Sequence, residues 1–134
     1  MTRRLVLPFL FLATAAFAQA PLNVDALIQG ADRYDGKVVV VRGTIEQFRQ
    51  RKSRAGNDYV TAVIKGQKST ANVYVRGKMD PEPKKGDRVE VMGIFRKEKK
   101  LQGFSVKNEI DAGVDRKDDT TKNFGMKILK DGKS

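Results

Sequence analysis

Apolar and polar positions alternate in short runs along most of this chain, and the period changes from helical to two-residue near position 36. Residues 23–34 set Val24, Leu27, Ile28 and Ala31 at helical spacing, which predicts a short helix capped by Asn23 or Asp25. Asp35-Gly36 is a turn signal. Residues 37–50 then read as one long strand opening on Val38, Val39, Val40 and Val41. Gly43 in its middle predicts a bulge or sharp bend, and the odd spacing of Ile45 and Phe48 fits a register change after it. Residues 51–58 are polar and end in Ala55-Gly56-Asn57-Asp58, a hairpin turn.

A second strand is predicted over 59–65, with Val60, Ala62 and Ile64 on one face and Tyr59, Thr61 and Val63 on the other. A third, 71–76, sets Val73 and Val75 against Asn72, Tyr74 and Arg76. Residues 77–87 hold Pro81, Pro83 and Gly86 and break regular structure. A fourth strand, 88–96, alternates through Val89, Val91, Gly93 and Phe95. Residues 97–100 read as a charged turn, and 101–110 as a fifth strand carrying Phe104 and Val106. From 111 on the chain is polar, which predicts a flexible tail in which Phe124, Met126, Ile128 and Leu129 could add one docked segment. Five short strands without long helices between them predict a small all-β, antiparallel barrel or sandwich with a modest core.

The first twenty residues follow a different pattern. Arg3 and Arg4 precede an apolar run from Leu5 to Phe17, and small residues at 16, 18 and 20 make two cleavage patterns. This predicts a secretory signal over 1–20, cleaved after Ala20, and a secreted or periplasmic domain. The other reading, an uncleaved membrane anchor, requires a longer run, since about 20 apolar residues span a bilayer. No second hydrophobic stretch follows, so the expected mature chain has no transmembrane segment.

Composition narrows the chemistry. The chain has no Cys and no His, which removes disulfides, thiolate and imidazole metal sites, and Ser-His-Asp triads. Its acids are scattered, with no pair at a spacing diagnostic of catalysis, so neither an enzyme nor a cofactor or metal site is expected. The formal charge is +11, and it is concentrated: residues 37–110 carry 18 basic and 8 acidic side chains. A basic core of this kind favours a polyanionic partner.

Two motifs then bring in a family. Residues 34–45, Y-D-G-K-V-V-V-V-R-G-T-I, resemble the opening strand of OB-fold proteins, where G-K-x-V-x-V-x-G-x-I leads into a long bent strand. Residues 86–93, G-D-R-V-E-V-M-G, resemble the fourth-strand signature G-D-x-V-x-V-x-G. The chain resembles extracytoplasmic OB-folds of the tRNA-anticodon-binding-like type. The resemblance implies a five-stranded OB-fold barrel over 37–110, with 21–36 as an N-terminal helix and turn and 111–134 as the tail. Two features depart from the pattern. The helix often found between strands three and four is reduced to a Pro-rich loop. The acidic turn of a periplasmic cousin family is replaced by Ile64-Lys65-Gly66-Gln67-Lys68.

OB-folds bind on the face of strands two and three, between the loops joining strands one to two and four to five. By that resemblance the candidate site consists of two basic loops, 49–58 and 96–100, with the face between them. The first loop supplies Arg49, Arg51, Lys52 and Arg54, and the second Arg96, Lys97, Lys99 and Lys100. The face supplies Tyr59, Tyr74 and Arg76, beside Thr61 and Asn72. Cations that track phosphates beside aromatics that stack bases suit single-stranded nucleic acid or another polyanion. Plainer readings stand beside this one. Basic turns are commonly solvated loops, and Tyr on a strand face commonly packs across strands. A one-residue register slip would turn both tyrosines into the core. A periplasmic protein-interaction or envelope-assembly role is the alternative function. Peripheral contact with anionic lipid ranks below both, because no basic amphipathic helix is visible.

Overall fold

The computed structural model describes residues 20–113 and 124–130. The expected signal, apart from Ala20, and residues 114–123 and 131–134 of the expected tail lie outside the described residues. The described residues form β1 (Leu22–Asn23), α1 (Val24–Gln29), α2 (Ala31–Tyr34), β2 (Val38–Lys52), β3 (Asp58–Lys65), β4 (Thr70–Arg76), β5 (Arg88–Leu101), β6 (Phe104–Ala112) and β7 (Gly125–Ile128).

The two long strands are long because each serves two neighbours. β2 pairs with β5 over Val38↔Ile94 to Thr44↔Arg88, then with β3 over Thr44↔Lys65 to Lys52↔Asp58. β5 leaves β2 at Ile94 and continues with β6 to the rung Leu101↔Phe104. β3 and β4 form an antiparallel hairpin, and β4 pairs with β6 in parallel, from Asn72↔Glu109 to Val75↔Ala112. The pairings β2–β3–β4–β6–β5 therefore return to β2.

The all-β class is as expected, but the strand set differs from five antiparallel strands. β1 adds in parallel to β2, and β7 adds antiparallel to β5 at Val89–Met92. With β4–β6 also parallel, the seven-stranded sheet is mixed. Part of the expected tail is thus ordered as β7, with Phe124 buried just before it.

Alternation fills the inside. Val39, Val41 and Ile45 from β2 meet Val60, Ala62 and Ile64 from β3, Ala71, Val73 and Val75 from β4, Val89, Val91 and Phe95 from β5, and Ile110 and Ala112 from β6. Val24 and Leu27 of α1 join the same core. A fully buried side chain of this size contributes about 1.5–3 kcal/mol. A surface ion pair gives at most about 1 kcal/mol. The core, not the many surface charges, holds the fold.

Two glycines serve close approach. A Cβ on Gly93 would lie 2.6 Å from the Asp111 carbonyl oxygen of the neighbouring strand. One on Gly43 would lie 2.8 Å from Val24 Cγ2. The expected irregularity at Gly43 is displaced: the β2–β3 register shifts between Ile45 and Gln47, so the extra residue is Glu46. The expected helix is two helices, parted at Gly30. Asn23 caps α1, its Oδ1 accepting from the Ala26 N–H at 2.8 Å. Asp25 instead reaches the β3–β4 turn and accepts from the backbone N–H groups of Gln67, Lys68 and Ser69 at 3.1, 3.0 and 2.9 Å.

Candidate nucleic-acid interface

The two segments read as basic loops are mostly strand. Arg49, Arg51 and Lys52 lie in β2, so the connection to β3 is only 53–57, and Arg54 alone of the four sits in it. Arg96, Lys97, Lys99 and Lys100 lie in β5, which runs to Leu101 and turns at Gln102-Gly103. Residues 101–110 are accordingly not one strand, because Leu101 ends β5 and β6 begins at Phe104. The reason is that β5 and β6 keep pairing past the ring of strands as a two-stranded arm. Such an arm has no face to bury, and its sequence shows charge where alternation would have marked a strand.

Register assembles a polar outer face from β2, β3 and β4. One row runs Arg51–Tyr59–Arg76, the next Arg49–Thr61–Tyr74, and the third Gln47–Val63–Asn72. Across these rows lies a groove of about 250 Å³, lined by Arg49 and Arg51 on one wall, Thr61, Val63 and Asn72 on the floor, and Val106 and Glu109 on the far wall. The far wall comes from β6, because the β5–β6 arm rises beside the sheet.

The tyrosines face outward, half-buried, as the alternation requires. Their rings pack on each other at 5.6 Å between centroids, tilted by 40°. Tyr74 is further enclosed: Lys99 Nζ lies 5.3 Å over its ring, and a Cβ on Gly113 would strike Cε2. Arg76 Nε donates to the Gly113 carbonyl at 3.1 Å, which holds the chain leaving β6 against that ring. The pair is therefore cross-strand packing, with Tyr59 carrying the freer ring face.

The cations divide in two. Lys52 pairs with Asp58 at 3.0 Å, Arg96 with Asp111 at 3.5 Å and Lys99 with Glu109 at 2.7 Å. Lys97 pairs with Asp32 of α2, and its backbone N–H donates to Asp35 Oδ1 at 2.8 Å, so it fastens the helix to β5. The hydrogen bond from Lys52 holds the Asp58 carboxyl below the usual aspartate range. The bond between Lys97 and Asp32 lowers Asp32 and raises the lysine. These four cations are committed to carboxylates. Arg51 and Arg76 donate only to the neutral Thr61 Oγ1, at 3.3 Å, and Gly113 oxygen, so their charge stays available. Among the described residues no side chain neutralises Arg49, Arg54 or Lys100. The site therefore offers five uncompensated cations, three of them in the rows of the sheet face.

Glu109 was not legible as part of the site. It is only 6% exposed and lines the groove, its charge met by Lys99. In the sequence it is one scattered acid among eight, and only the parallel β4–β6 pairing sets it opposite Asn72. The arrangement suits a ligand whose anionic groups follow the β2 wall and whose neutral, hydrogen-bonding parts lie on the floor. Among the described residues there is no cluster of His, Cys, Asp and Glu that could hold a metal ion. A comparison with models of known protein families finds no match, and one with curated proteins finds no similar chain.

Proposed function

We propose that this chain is an exported OB-fold binding module of the tRNA-anticodon-binding-like type, which holds single-stranded nucleic acid or a related polyanion in the groove between its two hairpins. The order of pairings around the ring supports the OB-fold reading, including the one parallel pair that joins the third and fifth barrel strands. The observation that carries the function is the groove itself. Arg49 and Arg51 line one wall without a carboxylate partner among the described residues, and Thr61, Asn72 and Val63 make a floor able to meet bases. A basic groove that tracks the phosphate backbone is one of the two features that single-strand binding combines.

Fluorescence anisotropy against labelled single-stranded DNA and RNA, with heparin as a generic polyanion, tests the reading. Replacing Arg49 and Arg51 together by Glu is expected to lower nucleic-acid affinity by about tenfold or more, since contacts to charged groups are worth about 1.5–3 kcal/mol each. Unchanged affinity in the double variant, or equal loss of all polyanions near physiological salt, would count against it.

One observation favours the alternative, a periplasmic protein-interaction module. A second cavity, of about 420 Å³, is lined by Val40, Met92, Phe124 and Met126 together with the charged Glu90 and Lys127, a mixed surface of the kind a protein partner meets. A stoichiometric complex with one envelope protein that persists at high salt would support this role.

A further inference from the structure

Beyond the groove, the β5–β6 arm carries a second surface. β5 last pairs with β2 at Ile94, and β6 first pairs with β4 at Glu109. Residues 97–107 are thus a two-stranded arm with no third strand, closed by Gln102 and by Gly103 at φ +90°. At its tip Leu101 and Phe104 are cross-strand partners, 42% and 63% exposed. Only Val38 joins them as an exposed large hydrophobic side chain among the described residues, and it lies on the barrel. Two adjacent apolar side chains at the outermost turn are not the usual scatter of single surface hydrophobes. The groove stops at Val106, and neither Leu101 nor Phe104 lines it.

The charges around the tip define the occupant. Residues 96–107 carry five basic side chains and one acid, Glu98. Lys100 sits one rung behind the tip, opposite Ser105, and Lys99 sits two rungs behind, opposite Val106. Lys107 follows on β6, three rungs behind the tip and opposite Glu98, and among the described residues no ion pair holds Lys100 or Lys107. One and three rungs of strand span about 3 and 10 Å. Apolar groups that dock on a bilayer are buried about 5–10 Å into the headgroup and acyl boundary. With Phe104 and Leu101 at the acyl boundary, the lysine ammonium groups stand at phosphate level, their stems covering apolar surface on the way.

We propose that the β5–β6 arm is a lipid-contact finger that inserts Leu101 and Phe104 into the interface of an anionic bilayer while Lys100 and Lys107 meet its phosphates. This does not depend on the groove binding nucleic acid.

The chain has no Trp, so Phe104→Trp adds a single indole at the tip. The full chain contains the apolar run of residues 5–17, which can itself associate with lipid, so emission from position 104 is the readout and not total binding. Expected is a blue shift, with quenching by acyl-chain bromines, on vesicles of phosphatidylcholine and phosphatidylglycerol, and a weaker response on phosphatidylcholine alone. Lys100→Glu with Lys107→Glu lowers the partition constant by about tenfold or more, since each basic residue near such a surface is worth about 1 kcal/mol, or fivefold. Leu101→Trp repeats the measurement from the neighbouring strand. An indole unmoved by anionic vesicles at both positions overturns the proposal. So does an indole that responds to single-stranded DNA but not to lipid, which would assign the tip to the ligand of the groove.

Discussion

Asp25 joins the N-terminal helix to the sheet through one carboxylate that accepts three backbone N–H groups from the β3–β4 turn. The Lys68 N–H is the main reason its pKa lies below the ordinary aspartate value. A depressed carboxylate pKa gives stability that is fully present above the unfolded value and lost as pH falls through the folded one. Asp25→Asn is therefore expected to lower the Tm at neutral pH, with the gap to wild type closing as the pH falls from about 5 toward 2. Asp32, Asp58 and Glu90 are also lowered, so the difference between the two melting curves, not the wild-type curve alone, isolates Asp25. A gap that stays constant with pH would mean that the carboxylate's charge has no part in holding the turn. Gly93 is the second residue with a sharp expectation. Its missing Cβ lets β5 lie against the Asp111 and Ala112 backbone. Gly93→Ala crowds backbone atoms that cannot turn aside, and should cost about 1–3 kcal/mol by urea denaturation.

At the scale of elements, how far the sequence could be read follows from which faces are buried. Val60, Ala62 and Ile64 in β3, and Val89, Val91 and Phe95 in β5, alternate because one side of each strand meets the core, and their inward faces were readable. The outer ends of β2 and β5 read as loops because charge replaces alternation at residues 51–52 and 97–100. Glycine is a common cause of a bulge, which points to Gly43, whereas the bulge sits at Glu46, where β2 changes partner from β5 to β3. β7 is short and flanked by polar chain, and the alternation of Phe124, Met126 and Ile128 is what marks it as a docked segment within the tail. Phe124 is 2% exposed and part of the core. Phe124→Ala should remove about 3–5 kcal/mol. It should also speed amide exchange along the β5 edge at Val89–Met92, where β7 pairs. Loss of stability without faster exchange there would mean that Phe124 fills the core while β7 holds by its backbone alone.

For the whole molecule, net charge overstates how much of the surface is free to meet an anion. Nine of the eleven residues singled out for binding are cations. Lys52, Arg96, Lys97 and Lys99 are tied to Asp58, Asp111, Asp32 and Glu109. These pairs fasten the arm, the hairpin and the helix together, and breaking one to reach a phosphate would strand a carboxylate beside the ligand. The distinction is measurable, because each phosphate neutralised on a single strand adds about 0.7 to the slope of log K against log salt. All nine cations would give a slope near −6, whereas the five uncompensated ones, Arg49, Arg51, Arg54, Arg76 and Lys100, give about −3.5. A slope near −3.5, falling by about 0.7 for each of these five changed to Gln and unmoved by Lys97→Gln, is the expected outcome. A steeper slope that drops with Lys97→Gln would mean that the pairs open on binding, and that part of the charge holding this fold together is exchanged for contact with the ligand.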